Sequence, residues 1–146
     1  MKRSLLAFAL LSTVTGTALA SDVINHKSPY CGCCSEWAKH MQESGFTVKE
    51  VPHEDMAPIK AKFGVPDNLV SCHTAQIDGY IFEGHVPADD IKAFLADKPS
   101  DAKGLAVPGM PMGSPGMDYG DKRQAYSVIQ FNAKGQQKVF NQYKAL

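Results

Sequence analysis

Three cysteines crowd into four positions, Cys31-Gly32-Cys33-Cys34. They fall where one periodicity ends and another begins. Before them, Val23-Ile24-Asn25-His26 reads as a short strand that Ser28-Pro29-Tyr30 breaks. After them, Cys34, Trp37, Ala38 and Met41 recur at i, i+3, i+4 and i+7, which predicts a helix from about Cys33 to Ser44 with one apolar face. Gly45 ends that helix as a left-handed cap. The cysteines therefore stand at a helix N-terminus, where unpaired N–H groups and the positive dipole end favour thiolate over thiol. A thiolate is both nucleophile and metal ligand, so the position suits a redox enzyme and a metal site alike.

The N-terminus supplies the redox context. Lys2 and Arg3 precede the apolar run Leu5-Leu6-Ala7-Phe8-Ala9-Leu10-Leu11, and small residues follow down to Ala18-Leu19-Ala20. This order predicts a secretory signal peptide over residues 1–20 and a mature domain over residues 21–146. The alternative, a retained anchor helix, fits poorly with so short an apolar run. No cysteine stands at the cleavage point, which argues against a lipoprotein, and no other stretch is long and apolar enough to span a bilayer. The 15 basic and 15 acidic residues balance, and losing Lys2 and Arg3 leaves a small acidic excess. That balance argues against nucleic acid or an anionic membrane as a partner.

An exported chain meets an oxidising compartment, where four cysteines usually mean two structural disulfides. The spacing argues otherwise. Adjacent Cys33 and Cys34 make a poor pair, and a stabilising framework spreads its cysteines to close long loops. Gathering them at one point suggests chemistry.

The rest of the chain reads as alternating elements. Thr47 to Val51 is a second strand; Asp55 can cap a short helix with Pro58 in its first turn and Met56, Ile59 and Phe63 along one side. Two strands follow, His73 to Ile77 and Tyr80 to His85, joined by Asp78-Gly79, a strong two-residue hairpin signal. A third helix opens at Pro87, with Asp89 and Asp90 in its first turn and Lys98 near its end. Residues 104–120 are dense in Gly, Pro and Met and read as a loop. Tyr126 to Phe131 and Gln137 to Phe140 close the chain as a hairpin. The order β-α-β-α-β-β-α, with cysteines between the first strand and helix, matches a thioredoxin-like α/β arrangement: a mixed sheet flanked by helices, with an appended C-terminal β-hairpin.

Cys33 separates the chemical options. A dithiol oxidoreductase needs Cys31 and Cys34 only, and a third thiol beside them invites mispairing. A soft cation gains from every added thiolate; Cu(I) favours thiolate and thioether, and bridging sulfurs can hold several ions. Zinc also accepts four sulfurs, but three ligands within four residues fit a tetrahedron awkwardly. In a thioredoxin-like fold the segment Ser71-Cys72-His73, before the third strand, lies against the cysteine motif where a cis-proline usually stands. Cys72 and His73 then join the ligand set. The alternatives are a buried thiol or disulfide partner for Cys72 and a solvated strand-end residue for His73. Met110, Met112 and Met117 place three thioethers in a loop otherwise built of turn residues. They are candidate Cu(I) ligands, or else adaptable packing. His26 ends a strand and reads more readily as structural; His85 ends one before Pro87 and reads equally as structural or as a ligand; His40 and His53 look exposed.

Four segments in order carry a family resemblance: Lys27-Ser28-Pro29 with Cys31-Gly32-Cys33-Cys34 and Trp37, Ser71-Cys72-His73-Thr74, Gly84-His85-Val86-Pro87-Ala88, and Pro108-Gly109-Met110-Pro111 with Ser114-Pro115-Gly116-Met117. The chain resembles the CopG family of periplasmic copper-resistance proteins over most of its mature length. The resemblance implies a thioredoxin-like fold, periplasmic location, copper as cargo and a role in bacterial copper tolerance, with possible coupling of copper to thiol redox. It implies Cys31, Cys33, Cys34 and Cys72 as the copper-bridging set, with His73, Met110, Met112 and Met117 as lesser candidates. Copper efflux components or other periplasmic copper proteins are the expected partners. The competing function is a thiol–disulfide oxidoreductase that uses Cys31 and Cys34 on protein substrates.

Overall fold

A computed structural model describes residues 21–146. The expected signal peptide and its boundary lie outside the described residues. The elements run β1 (Asp22–Lys27), α1 (Gly32–Glu43), β2 (Thr47–Pro52), α2 (Ala57–Phe63), β3 (Thr74–Ile77), β4 (Tyr80–Glu83), α3 (Ala88–Asp97), β5 (Gly104–Ala106), β6 (Tyr126–Phe131) and β7 (Gln137–Tyr143).

All seven strands form one mixed sheet in the order β2-β1-β3-β4-β5-β6-β7. β1 and β2 are parallel, β3 is antiparallel to β1, and β4 is antiparallel to β3. With three helices this is the thioredoxin-like α/β arrangement that the sequence predicts. β6 and β7 extend the sheet as the appended antiparallel hairpin. Among the described residues, no helix is long and apolar enough to cross a membrane.

The hairpin between β3 and β4 turns at Asp78 and Gly79, with φ of 50° and 84°. Both residues are left-handed, the conformation a two-residue type I′ connection needs and Asp-Gly supplies at little cost. The turn pairs Ile77 with Tyr80 and Thr74 with Glu83.

Helix α1 forms because Cys34, Trp37, Ala38 and Met41 make one buried stripe. Trp37 and Met41 pack with α3 residues Ile91 and Phe94 over Val23, Ala75 and Phe82. Burying Trp37 or Met41 fully is worth roughly 1.5–3 kcal/mol each. The Trp37 indole N–H donates to the Val86 carbonyl at 2.9 Å, so the helix is also pinned to the segment after β4. Helix α2 covers the other sheet face with a smaller cluster around Val65, Leu69, Ile81, Ala106 and Phe131.

Two expectations change. Residues 104–120 are not loop throughout: Gly104–Ala106 form β5, wholly buried, parallel to β4 and antiparallel to β6. On α2, Met56, Ile59 and Phe63 are only half-buried, and the buried side chain is Lys60. Lys60 goes inside because Glu83 waits there, with Nζ–Oε1 at 2.5 Å.

Candidate metal centre

The cysteine motif straddles the start of α1: Cys31 is its N-cap residue and Cys33 and Cys34 lie in the first turn. Cys31 and Cys34 are joined as a disulfide, while Cys33 and Cys72 are free and half-buried. The Cys33 sulfur lies 3.5 Å from that of Cys31 and 3.9 Å from that of Cys72. All four sulfurs fall within 4.8 Å of one another.

A second trio overlaps the first at Cys72. The Sγ of Cys72, a ring nitrogen of His73 and one of His85 also lie within 4.8 Å of one another. His85 Nε2 is 2.8 Å from Cys72 Sγ, and His73 Nδ1 is 3.6 Å away. The hairpin explains this convergence. Its ladder continues past β3 and β4 through the Gly84 N–H donating to the His73 carbonyl at 2.9 Å. Just past the Thr74–Glu83 pair the chain bends, with Gly84 at φ +72°, and there Cys72 and His85 meet.

Protonation follows from the partners. His85 Nδ1 lies 2.8 Å from the Pro115 carbonyl, which can only accept, so Nδ1 carries the hydrogen. Burial lowers the pKa of His85, which keeps it neutral and leaves the Nε2 lone pair aimed at Cys72. Burial first, and then the neighbouring Cys33, push the Cys72 thiol up to about 12. In the absence of a cation Cys72 is therefore a thiol, and any metal that binds there must displace its proton.

His73 is fully buried, with its ring 4.5 Å from that of Trp37 and edge-on to His85 at 5.0 Å. Burial, and then His85, hold its pKa well below the usual histidine range. Its Nε2 has no hydrogen-bond partner, one of two such buried side-chain atoms among the described residues; the other is Asn25 Oδ1. A buried neutral imidazole whose Nδ1 lies beside the Cys72 sulfur fits a soft cation in donor chemistry.

The methionine loop closes over this group through its backbone. Gly116, at φ +83°, lies so near the start of α1 that a Cβ would meet the Cys33 carbonyl and the Trp37 nitrogen at 2.7 Å each. With Pro115 on His85, two consecutive loop residues touch the cluster. Met110 is 55% exposed, and Met112 and Met117 are half-buried. The loop is tied down by Gly113 N–H to Met117 O at 2.7 Å and by paired bonds between Met112 and Gln124 at 2.9 and 3.0 Å.

The structure thus brings Cys31, Cys33, Cys34, Cys72 and His73 together and adds His85. His73 is no solvated strand end. His85, which the sequence leaves equally structural or ligating, belongs to the cluster; the Asp78-Gly79 hairpin, which brings the chain past both strands together, is the signal that points to it. His26 goes elsewhere: its Nδ1 lies 2.8 Å from His53 Nε2, against Phe63 near α2. His53 and His40 are half-buried rather than exposed, and the Ala88 N–H donates to His40 Nε2 at 3.2 Å. At the usual cis-proline position stands Ser71-Cys72-His73, and the described residues contain no cis peptide bond.

Fold and cluster together define a thioredoxin-like protein that gathers, beside a Cys31–Cys34 pair at the head of α1, a sulfur–imidazole group able to hold a metal. Two solved structures match, titled copper resistance protein CopG, Form 1 and Form 2. Each is 43% identical, with a TM-score of 0.81, over 86% of this chain and 99% of theirs. The chain belongs to the CopG family. Residues 69–117, from the Cys72 segment through the methionine loop, also match a family described as a protein of unknown function, DUF411. No curated protein matches the chain.

Proposed function

We propose that this chain is a periplasmic copper-handling protein of bacterial copper resistance, which holds Cu(I) in the Cys31, Cys33, Cys34, Cys72 cluster. The observation that carries the reading is the convergence of four cysteine sulfurs and two neutral imidazoles from three separated segments. Soft sulfur donors at this density suit Cu(I), and shared thiolates suit more than one ion. His73 and His85 supply nitrogen ligands, and Met110, Met112 and Met117 are the loop thioethers that complete the shell. The printed names of the similar structures point to the same cargo.

Redox state sets the number of ligands. With Cys31 and Cys34 bridged, only Cys33 and Cys72 offer thiol sulfur. Two electrons and two protons open the bridge and give four thiols. Copper loading and thiol redox are coupled in this reading, and the exchange partners are other copper proteins of the same compartment.

Anaerobic Cu(I) titration of the reduced chain against a chromophoric competitor, with thiols counted before and after, tests this. We expect more than one Cu(I) per chain with all four thiols consumed, and a lower stoichiometry in Cys33→Ala. Unchanged stoichiometry in that variant would sink the cluster.

The Cys31–Cys34 bridge at the head of α1 favours one other reading, a thiol–disulfide oxidoreductase. That protein would turn over dithiol substrate in copper-free buffer and lose nothing in Cys33→Ala. Insulin reduction under a copper chelator separates the two.

A further inference from the structure

Glu83 is wholly buried and its carboxylate receives three donors. Lys60 Nζ reaches Oε1 at 2.5 Å, and the Ser71 N–H donates to the same oxygen at 2.7 Å. The Thr74 hydroxyl donates to Oε2 at 2.6 Å and accepts from Lys60 Nζ at 3.1 Å. Lys60 comes from α2, so this network lies on the sheet face away from α1 and its cysteines.

Ser71 is where the network takes hold of the cysteine segment. Its N–H is satisfied by a side chain, while its hydroxyl donates to the Gly109 carbonyl in the methionine loop. The next two residues are Cys72 and His73. A buried ion pair is weak evidence for stability, because apolar residues of like volume often serve as well. An apolar residue at position 83, however, offers the Ser71 N–H no acceptor.

We propose that Glu83, with Lys60 as its counter-charge, is a positioning residue for the metal centre: it fixes Ser71 and so sets where Cys72 and His73 stand against Cys33 and His85. The effect on copper rests on the reading that Cys72 is a copper ligand; the effect on the thiol does not.

Two double variants isolate the acceptor. Lys60→Met with Glu83→Gln removes both charges but keeps an oxygen for Ser71; Lys60→Met with Glu83→Leu removes the oxygen too. We expect the first to hold Cu(I) about as the parent does. The second should lose about tenfold in affinity, the scale of a lost outer-shell partner, while its urea midpoint equals or exceeds that of the first. The rate of Cys72 alkylation by iodoacetamide relative to Cys33, read by mass spectrometry without copper, should rise several-fold in the second variant only. Copper affinity that simply tracks the urea midpoint, or equal Cys72 alkylation in both variants, overturns the proposal. A parent chain that binds no copper defeats the proposed function, and the alkylation comparison still decides the positioning role. Amide hydrogen exchange in the parent gives a check that needs no variant: Ser71 should be protected, and exchange at the rate of an open loop amide overturns the assignment.

Discussion

The β3–β4 hairpin carries two polar clusters of opposite kinds. On the α2 face, Lys60, Thr74 and Glu83 are buried and every polar atom has a partner: the amine meets a carboxylate and a hydroxyl, and the carboxylate receives three hydrogen bonds. Past the strand ends, beside the head of α1, Cys72, His73 and His85 crowd as closely, yet a buried imidazole nitrogen is left over and two thiols stay free. Desolvation penalises both clusters. The first offsets it with internal bonds and so is complete as it stands. The second leaves two half-buried thiols at the end of a helix, where a ligand can reach them. The contrast teaches that coordination chemistry is read from what a cluster leaves unpaired, since closeness alone does not distinguish the two.

The largest effect should come from breaking the satisfied cluster on one side. Glu83→Ala leaves Lys60 as an uncompensated buried charge and should cost about 3–5 kcal/mol, visible as a large drop in urea midpoint. A midpoint close to that of the parent would erase the contrast between the two clusters. Gly116→Ala comes next. A Cβ there meets the α1 backbone at 2.7 Å, in a left-handed conformation that alanine resists. We expect about 1–3 kcal/mol of destabilisation together with weaker Cu(I) binding, because the loop must lift off the cluster. His85→Leu should act the other way round, with little change in stability and a loss of about tenfold in Cu(I) affinity, or ~1.4 kcal/mol. If it destabilises the chain without touching copper, His85 is structural and the open cluster shrinks to its sulfurs.

The smallest effect is a pH slope. Burial lowers the pKa of His40, whose neutral Nε2 accepts from Ala88. The unfolded chain takes up a proton near pH 6.5 and the folded chain only at lower pH, so stability should fall as pH drops below about 6.5. Urea midpoints at pH 7.5 and 5.5 measure the slope. His40→Gln, which still offers an oxygen to Ala88, should flatten part of it.

Much of this was legible in the residues. Period 3.6 after the cysteines gives α1, and Asp78-Gly79 gives the hairpin. His85 is less legible, because β3 and β4 end at Thr74 and Glu83 and the bend at Gly84 that brings it to Cys72 carries no period. β5 was illegible for a different reason. Gly104-Leu105-Ala106 is too short to show a period and is strand only because β4 and β6 flank it. Lys60 was hidden because periodicity assigns a lysine to solvent, and its partner lies 23 residues away. The Cys31–Cys34 bridge could not be read from spacing, since C-x-x-C serves the thiol and disulfide states alike.

Gly116 against the head of α1 also has a meaning in time. The cluster joins residues 31–34 to 72–73, to 85 and to 115–116, so apart from local contacts such as the Cys31–Cys34 bridge its closures join separated segments. Helix α1 can form early from local contacts, and it then carries three thiols with nothing over them until the methionine loop docks. Over that interval the chain is most open to wrong pairing of Cys33 and Cys72 and to oxidation of both. A reductant or a soft ion present during refolding should therefore raise the yield of native protein, and raise it most at high protein concentration, where foreign thiols compete with the loop.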